Sequence, residues 1–262
     1  MENSAMLSFL SALPIIIILM VIYIKDRKKE PLLLLGFLFV LGIASCALVI
    51  VLSGYLKPFL PFMNKSLAEM DFLETLLYSF VGVALIEEVC KWLMVYFAGY
   101  HNKQFNELYD IIVYAVFVSL GFAFYENLVY IYAKGTVTTA IIRAISAVPG
   151  HACDAIFMGY YLSMAKYFRS KKRKDLERRN ILLSILIPTV LHGIYDFCIM
   201  SRSTAFIIVF IVFVVYLDYI SIKKVMEISK NNKNLGNELS FCPTCGLKLV
   251  DGYCRNCGRK QD

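Results

Sequence analysis

What most limits the fold of this chain is a series of apolar runs, each about as long as a bilayer is thick. A helix needs roughly 20 apolar residues to cross a hydrocarbon core about 30 Å deep, and several runs approach or exceed that length. A soluble core does not require it. Hydrophobic residues make up 59% of the chain, against roughly 45–50% in a soluble domain, so lipid is the expected solvent. Run length and periodicity predict about seven spans, at residues 5–24, 32–53, 72–98, 108–133, 137–168, 181–200 and 204–222. The fifth is long enough to continue into the cytoplasm. The expected fold class is therefore an all-α integral membrane bundle, and no internal repeat is visible.

The net charge of +7 does not point to nucleic acid, because the basic residues sit in short clusters between the apolar runs. There they act as topology signals. The first run is preceded by Glu2 and by no Lys or Arg, and is followed by Lys25, Arg27, Lys28 and Lys29. That order predicts an uncleaved anchor with its N-terminus outside the cell. From that start the Lys25 to Lys29 cluster, Lys103, the run Arg169 to Lys174 with Arg178 and Arg179, and Lys223 with Lys224 all fall on the cytoplasmic side. The opposite side receives only Lys57, Lys65, Lys134 and Arg202. An error of one span would invert this bias in every later loop.

The membrane domain is expected to end at about residue 222. Residues 223–240 are polar and rich in Asn and Lys, too poor in apolar groups to bury a core, and are predicted to be a flexible linker. Residues 241–262 are different. Cys242-x-x-Cys245 and Cys254-x-x-Cys257 each end in a glycine, Gly246 and Gly258, which permits the tight turn that aims both thiolates of a pair at one ion. Four thiolates make a closed tetrahedral zinc site, and a segment this short needs the metal to fold. Two disulfides are the competing reading, disfavoured because the topology puts this tail in a reducing compartment. The segment resembles the short zinc ribbons of bacterial membrane proteins, which implies structural zinc and docking of a cytoplasmic partner. The other cysteines, Cys46, Cys90, Cys153 and Cys198, lie in apolar segments without ligand spacing and read as packing.

Ionisable groups inside the spans carry the functional signal, since a charge at mid-bilayer costs at least about 2.5–3.5 kcal/mol. The third span places Glu87, Glu88 and Lys91 in apolar surroundings. Glu87 and Lys91 are four apart and can pair, which would leave Glu88 about 100° away on a neighbouring face. The fourth span holds Glu126 and Asn127, the fifth His151 and Asp154, the sixth His192 and Asp196. The spacings allow Asp154 to orient His151, and Asp196 to orient His192 or share its ligand. At about 1.5 Å per residue, Glu87 and His151 lie roughly 20 Å below the outer helix ends, and Glu126 and His192 roughly 10–12 Å. One pocket in the outer half of the membrane accommodates all four. Pro149 and Pro188 precede the histidine motifs and free backbone carbonyls that need water or a neighbour. Taken singly, Glu87 with Lys91 reads equally well as a structural ion pair, and one buried histidine as packing. Packing does not readily explain the set.

These residues carry a resemblance. Glu87-Glu88-x-x-Lys91, Phe122-x-x-x-Glu126, His151 after Pro-Gly and His192-x-x-x-Asp196 resemble, in order, the motifs of the PrsW intramembrane proteases. Those bacterial enzymes cleave membrane-anchored anti-sigma factors and are distantly related to the CAAX-processing and bacteriocin-processing membrane endopeptidases. The likeness runs from about residue 70 to residue 200. The CAAX relatives have a histidine where this chain has Glu126 and often an asparagine where it has Asp196. They are argued to activate water with glutamate and histidine alone, whereas PrsW proteins are usually called metalloproteases.

The resemblance implies a single-pass membrane protein as substrate, cut at or near its extracytoplasmic end. Amide hydrolysis needs an activated water, an oxyanion stabiliser and a proton for the leaving nitrogen. Glu87 or Glu88 is the expected base, with Lys91 restraining the other carboxylate. His151, His192 and Glu126 could ligate a catalytic zinc; without metal, His192 and Asp196 would form the oxyanion site and Glu126 would position water. Two other classes compete. An ion-coupled transporter would string its polar groups from face to face, often on inverted repeats. A non-catalytic scaffold recruiting partners through the ribbon would leave the membrane acids unexplained.

Overall fold

The computed structural model describes residues 4–134, 136–230, 242 and 253–255. Among them every extended regular element is helical. Six helices are long and apolar enough to cross a membrane: α1 (Ser4–Lys25), α2 (Leu32–Leu56), α4 (Asp110–Lys134), α5 (Val137–Ser170), α6 (Lys174–Met200) and α7 (Thr204–Lys230). The segment expected to be the third span, α3, is helical but not uniform. It runs as α-helix over Phe72–Leu77, π-helix over Tyr78–Ala84, α-helix over Leu85–Met94 and π-helix over Val95–Tyr100. Glu74, Glu87, Glu88 and Lys91 also leave every bilayer-length stretch of α3 more charged than the most apolar stretch of each of the six, so length and composition support six spans where periodicity predicts seven.

Local chemistry starts these helices where the turns need it. Asp71 caps α3 through a reciprocal box: the Glu74 amide donates to Asp71 Oδ1 at 2.8 Å, and the Asp71 amide to Glu74 Oε2 at 3.3 Å. Thr136 Oγ1 caps α5 by accepting from the Thr139 amide at 3.1 Å. Within α5 a π-helical stretch, Arg143–Ala147, comes just before Pro149. Proline has no N–H to donate, so the wide turn sits where the helical bonding is already interrupted.

Helix α4 is the hub, with 72% of its membrane window buried, whereas α7 has 11% buried and turns its apolar surface outward. Close packing of α4 needs glycine. A side chain at Gly42 of α2 would collide with the Val118 carbonyl of α4, and one at Gly121 of α4 with the Phe39 carbonyl of α2. This reciprocal contact is the small-residue helix crossing typical of membrane bundles, where packing replaces the hydrophobic effect as the cohesive force. Polar bonds reinforce it: Ser119 Oγ donates to the His151 carbonyl at 2.9 Å, tying α4 to α5, and Trp92 Nε1 donates to Ser184 Oγ at 2.8 Å, tying α3 to α6. Large apolar side chains such as Phe9, Leu33, Val51 and Ile208 are exposed. That inversion suits a lipid solvent.

Helix α7 also corrects the linker boundary. Residues 223–230, assigned to a flexible segment by their polarity, continue the helix to Lys230. Leu217, Ser221, Val225 and Ile228 recur at helical spacing on the buried side, and Ser229 Oγ donates to the Lys25 carbonyl at 2.5 Å. Average polarity hid that stripe. Of the four tail cysteines expected to form a zinc ribbon, Cys242 and Cys254 are buried, while Cys245, Cys257 and residues 231–240 lie outside the described residues.

Candidate active site

The ionisable groups of α3, α4, α5 and α6 meet inside the bundle. On α3, Glu88 and Lys91 point inward and are both fully buried, while Glu87 keeps 12% of its side chain exposed. The Lys91 ammonium lies 2.7 Å from Glu88 Oε1, 3.6 Å from Glu87 Oε2 and 3.2 Å from His151 Nδ1, and 4.2 Å above the centre of the Phe122 ring. The expected ion pair with Glu87, four residues away, is present, but Lys91 bonds Glu88, three away, more closely. Both spacings put side chains on one helical face. The Nδ1 of His192 is 2.8 Å from the same Glu88 oxygen.

The network continues on both sides. His151 Nε2 lies 2.9 Å from Glu126 Oε2, and His192 Nε2 lies 3.5 Å from Asp196 Oδ2 and 3.9 Å from Glu87 Oε2. The two imidazoles meet edge to face with centroids 5.4 Å apart. An ammonium only donates, so His151 accepts at Nδ1 and donates from Nε2 to Glu126. Glu87, Glu88, Lys91, Glu126, His151, His192 and Asp196 therefore come together. Asp154 joins them as well: its Oδ2 lies 4.0 Å from His192 Nδ1 of the neighbouring helix, beyond hydrogen-bond reach.

Arg143 was not anticipated. Its Nη2 lies 2.7 Å from Glu126 Oε2, and its Nε donates to Asn127 Oδ1 at 2.7 Å. An arginine inside the apolar run AIIRAISA is the signal that would have found it. Its partners were not legible, because the π-helical stretch turns the following residues onto a face that α periodicity does not assign.

Carboxylates outnumber cations in this cluster. Glu88 Oε2, Glu87 Oε2, Asp154 Oδ1 and Asp196 Oδ2 are buried without a hydrogen-bond partner among the described residues, which is costly unless a cation or water meets them. The ligand atoms of Glu88, His151, Asp154 and His192 lie within 4.8 Å of one another. Two imidazoles and two carboxylates with orphaned oxygens fit a divalent transition metal once His151 Nδ1 is released from Lys91. Glu126, expected on sequence grounds to be a ligand beside the histidines, lies outside that group. It holds the far nitrogen of His151, as a carboxylate behind a metal-bound histidine does. A cavity of about 330 Å³, lined by Glu126, Arg143, His151, Asp154, His192 and Asp196, runs from the cluster to Leu67, Tyr130 and Met200 near one end of the bundle.

The polar groups gather in one place instead of forming a path from face to face, which leaves the transporter reading without its geometry. Residues 30–220 match the family model described as "PrsW family intramembrane metalloprotease". The chain belongs to that family. Its relatives include three proteins named Protease PrsW. That of Oceanobacillus iheyensis is 36% identical over 206 residues, 78% of this chain and 88% of the relative. That of Clostridioides difficile is 36% identical over 198 residues, 74% and 79% of the two chains. That of Geobacillus kaustophilus is 44% identical over 124 residues, 47% and 52%. No solved structure matches. The PrsW match is wider than the resemblance of residues 70–200, because it takes in α2. The protein is an intramembrane protease, integral to the membrane, of a metalloprotease family.

Proposed function

We propose that this PrsW protease cuts single-pass membrane proteins near the extracytoplasmic end of their transmembrane helix, with Glu87 as general base. The observation that carries this is the cluster itself, with its cavity leading to one end of the bundle. Two carboxylates compete for the base. Glu88 is held at Oε1 by both Lys91 and His192, and its unbonded Oε2 is taken up by the proposed metal group, whereas Glu87 Oε2 carries no hydrogen bond and lies 3.6 Å from Lys91 and 3.9 Å from His192 Nε2. A base needs a free lone pair, so Glu87 takes the proton of the attacking water and later delivers it to the leaving nitrogen.

Glu88, His151, Asp154 and His192 are the residues that would hold a metal, zinc by their donor chemistry. Held there, a divalent ion supplies Lewis acidity toward water and the scissile carbonyl. Lys91 neutralises Glu88, and its contact with His151 Nδ1 belongs to the site without metal. Glu126 fixes the His151 tautomer, and Asp196 orients His192 from the next turn.

Counting α3 as a membrane segment restores seven spans, supported by the alternation of basic loops. The N-terminus then lies outside the cell. The four-cysteine tail lies in the cytoplasm as a zinc ribbon that docks a partner, and the loop at 57–71 and the cavity mouth face outward. Anti-sigma-factor-like proteins are the substrate class that the PrsW membership favours. Glu87→Gln and Glu88→Gln, assayed on a reconstituted single-pass substrate, separate the roles. Glu87→Gln should abolish cleavage with metal content unchanged, and Glu88→Gln should lose metal. Wild-type cleavage by Glu87→Gln would refute the base assignment.

A further inference from the structure

From the geometry we infer that Arg143 binds the carbonyl oxygen of the scissile bond and stabilises the oxyanion; the inference rests on the proteolytic reading above. In hydrolysis the water oxygen adds to the carbonyl carbon, and the π electron pair moves onto the carbonyl oxygen. When the intermediate collapses, the C=O bond re-forms, the C–N bond breaks, and the nitrogen leaves with the proton that the base took from water. The transient alkoxide needs donors aimed at it in a water-poor site.

Several donors that line the cavity are already committed. Ser146 Oγ donates to the Ile142 carbonyl at 2.7 Å, so in its 2.9 Å contact with Tyr195 it is the acceptor and the tyrosine hydroxyl is used up. His151 donates to Glu126, and His192 donates from Nδ1 to Glu88. Lys91 is fully buried against Glu88, Glu87 and His151 and does not line the cavity. Arg143 does line it, and among the cavity-lining side chains it is the one permanent cation.

Its guanidinium is also held in place before substrate arrives. Nε donates to Asn127 Oδ1, the Glu126 carboxylate sits beside Nη2, and the guanidinium carbon lies 4.0 Å over the Tyr130 ring. Asn127 is itself buried and reaches the Ser11 carbonyl of α1 at 3.5 Å. Although Nη2 is 2.7 Å from Glu126, it makes no hydrogen bond of good geometry. A guanidinium carries five N–H donors, and Asn127 and Glu126 leave most of them uncommitted. A planar fork fixed on three sides, with donors to spare, costs little reorganisation when charge develops on the oxygen.

The test measures kcat and KM on a single-pass substrate in proteoliposomes for the wild type, Glu87→Gln, Arg143→Gln, Arg143→Lys and Arg143→Ala, with metal content and thermal unfolding of each. Loss of one oxyanion donor costs about 10²–10³ in kcat, and Arg143→Gln should show that loss with KM and metal content nearly unchanged. Arg143→Lys should fall between it and the wild type. Methylguanidinium should restore turnover to Arg143→Ala saturably, which a merely structural arginine would not allow. An active wild type with an inactive Glu87→Gln upholds the protease reading by itself. Against that background, a kcat for Arg143→Gln within about tenfold of wild type, a loss confined to KM, a loss of metal, or no rescue of Arg143→Ala would overturn the role of Arg143.

Discussion

Replacing Lys91 by Met should destabilise the protein by about 3–5 kcal/mol, the cost of leaving a buried charge without its partner. The Lys91 side chain is fully buried, and its ammonium is 2.7 Å from Glu88 Oε1. At an effective dielectric near 20, that separation corresponds to about 6 kcal/mol of gross attraction. Desolvation of both ions offsets part of it. The loss is large against a total stability of about 5–15 kcal/mol. The Met side chain fills the space of the lysine stem, so the effect reports charge more than volume. Denaturant unfolding in detergent measures it, and a double-mutant cycle isolates it: Lys91→Met with Glu88→Gln should recover much of the loss, because the orphaned carboxylate has gone. A loss below about 1 kcal/mol, or a double variant as unstable as the sum of the singles, would refute the coupling.

Gly121→Val should destabilise by about 1–3 kcal/mol or more, because the new side chain meets the Phe39 carbonyl, while Gly36→Ala, with nothing within 4 Å, should be nearly neutral; thermal unfolding compares them. In the loop after α1, burial raises the Asp26 carboxyl above its ordinary 3.8, and its Oδ2 has no hydrogen-bond partner. The folded state then holds a proton that the unfolded chain has released, so stability falls as pH rises from about 4 through the raised value. Asp26→Asn should flatten that part of the stability–pH curve and raise stability at pH 8; an unchanged slope would contradict it. Full-length protein should carry a tail-bound zinc that is lost with Cys242→Ser and Cys245→Ser, and a tail-deleted chain should retain metal that disappears with His192→Ala; elemental analysis decides both.

The site was legible to the extent that lipid makes polar groups conspicuous. Glu87, Glu88, Lys91, Glu126, His151, His192 and Asp196 stand out in apolar runs, and depth along straight helices was enough to gather them. Their partnerships were not legible. Lys91 lies closer to Glu88, whose oxygen His192 from α6 also holds, than to Glu87, and Asp154 lies within 4.0 Å of His192. Both are tertiary facts that spacing within one helix does not contain. The π-helical stretches at Tyr78–Ala84 and Arg143–Ala147 lie just before the acidic and histidine motifs and change which face each motif presents. In α3 the stretches Tyr78–Ala84 and Val95–Tyr100 divide the segment into short α-helical pieces. The helical end of α7 was missed for a simpler reason: a stripe of one apolar residue in four disappears in a composition average.

The most direct test of the central claim is where the substrate is cut. A substrate helix has every backbone carbonyl hydrogen-bonded and must unwind before water can attack, which is easiest near a helix end. A single-pass protein reconstituted in known orientation with the wild-type protease, its new termini mapped by mass spectrometry, gives the position. The account predicts a cut within the first few turns on the extracytoplasmic side, absent with Glu87→Gln. A cut in the cytoplasmic third of the substrate helix, or the same cut made by Glu87→Gln, would contradict it.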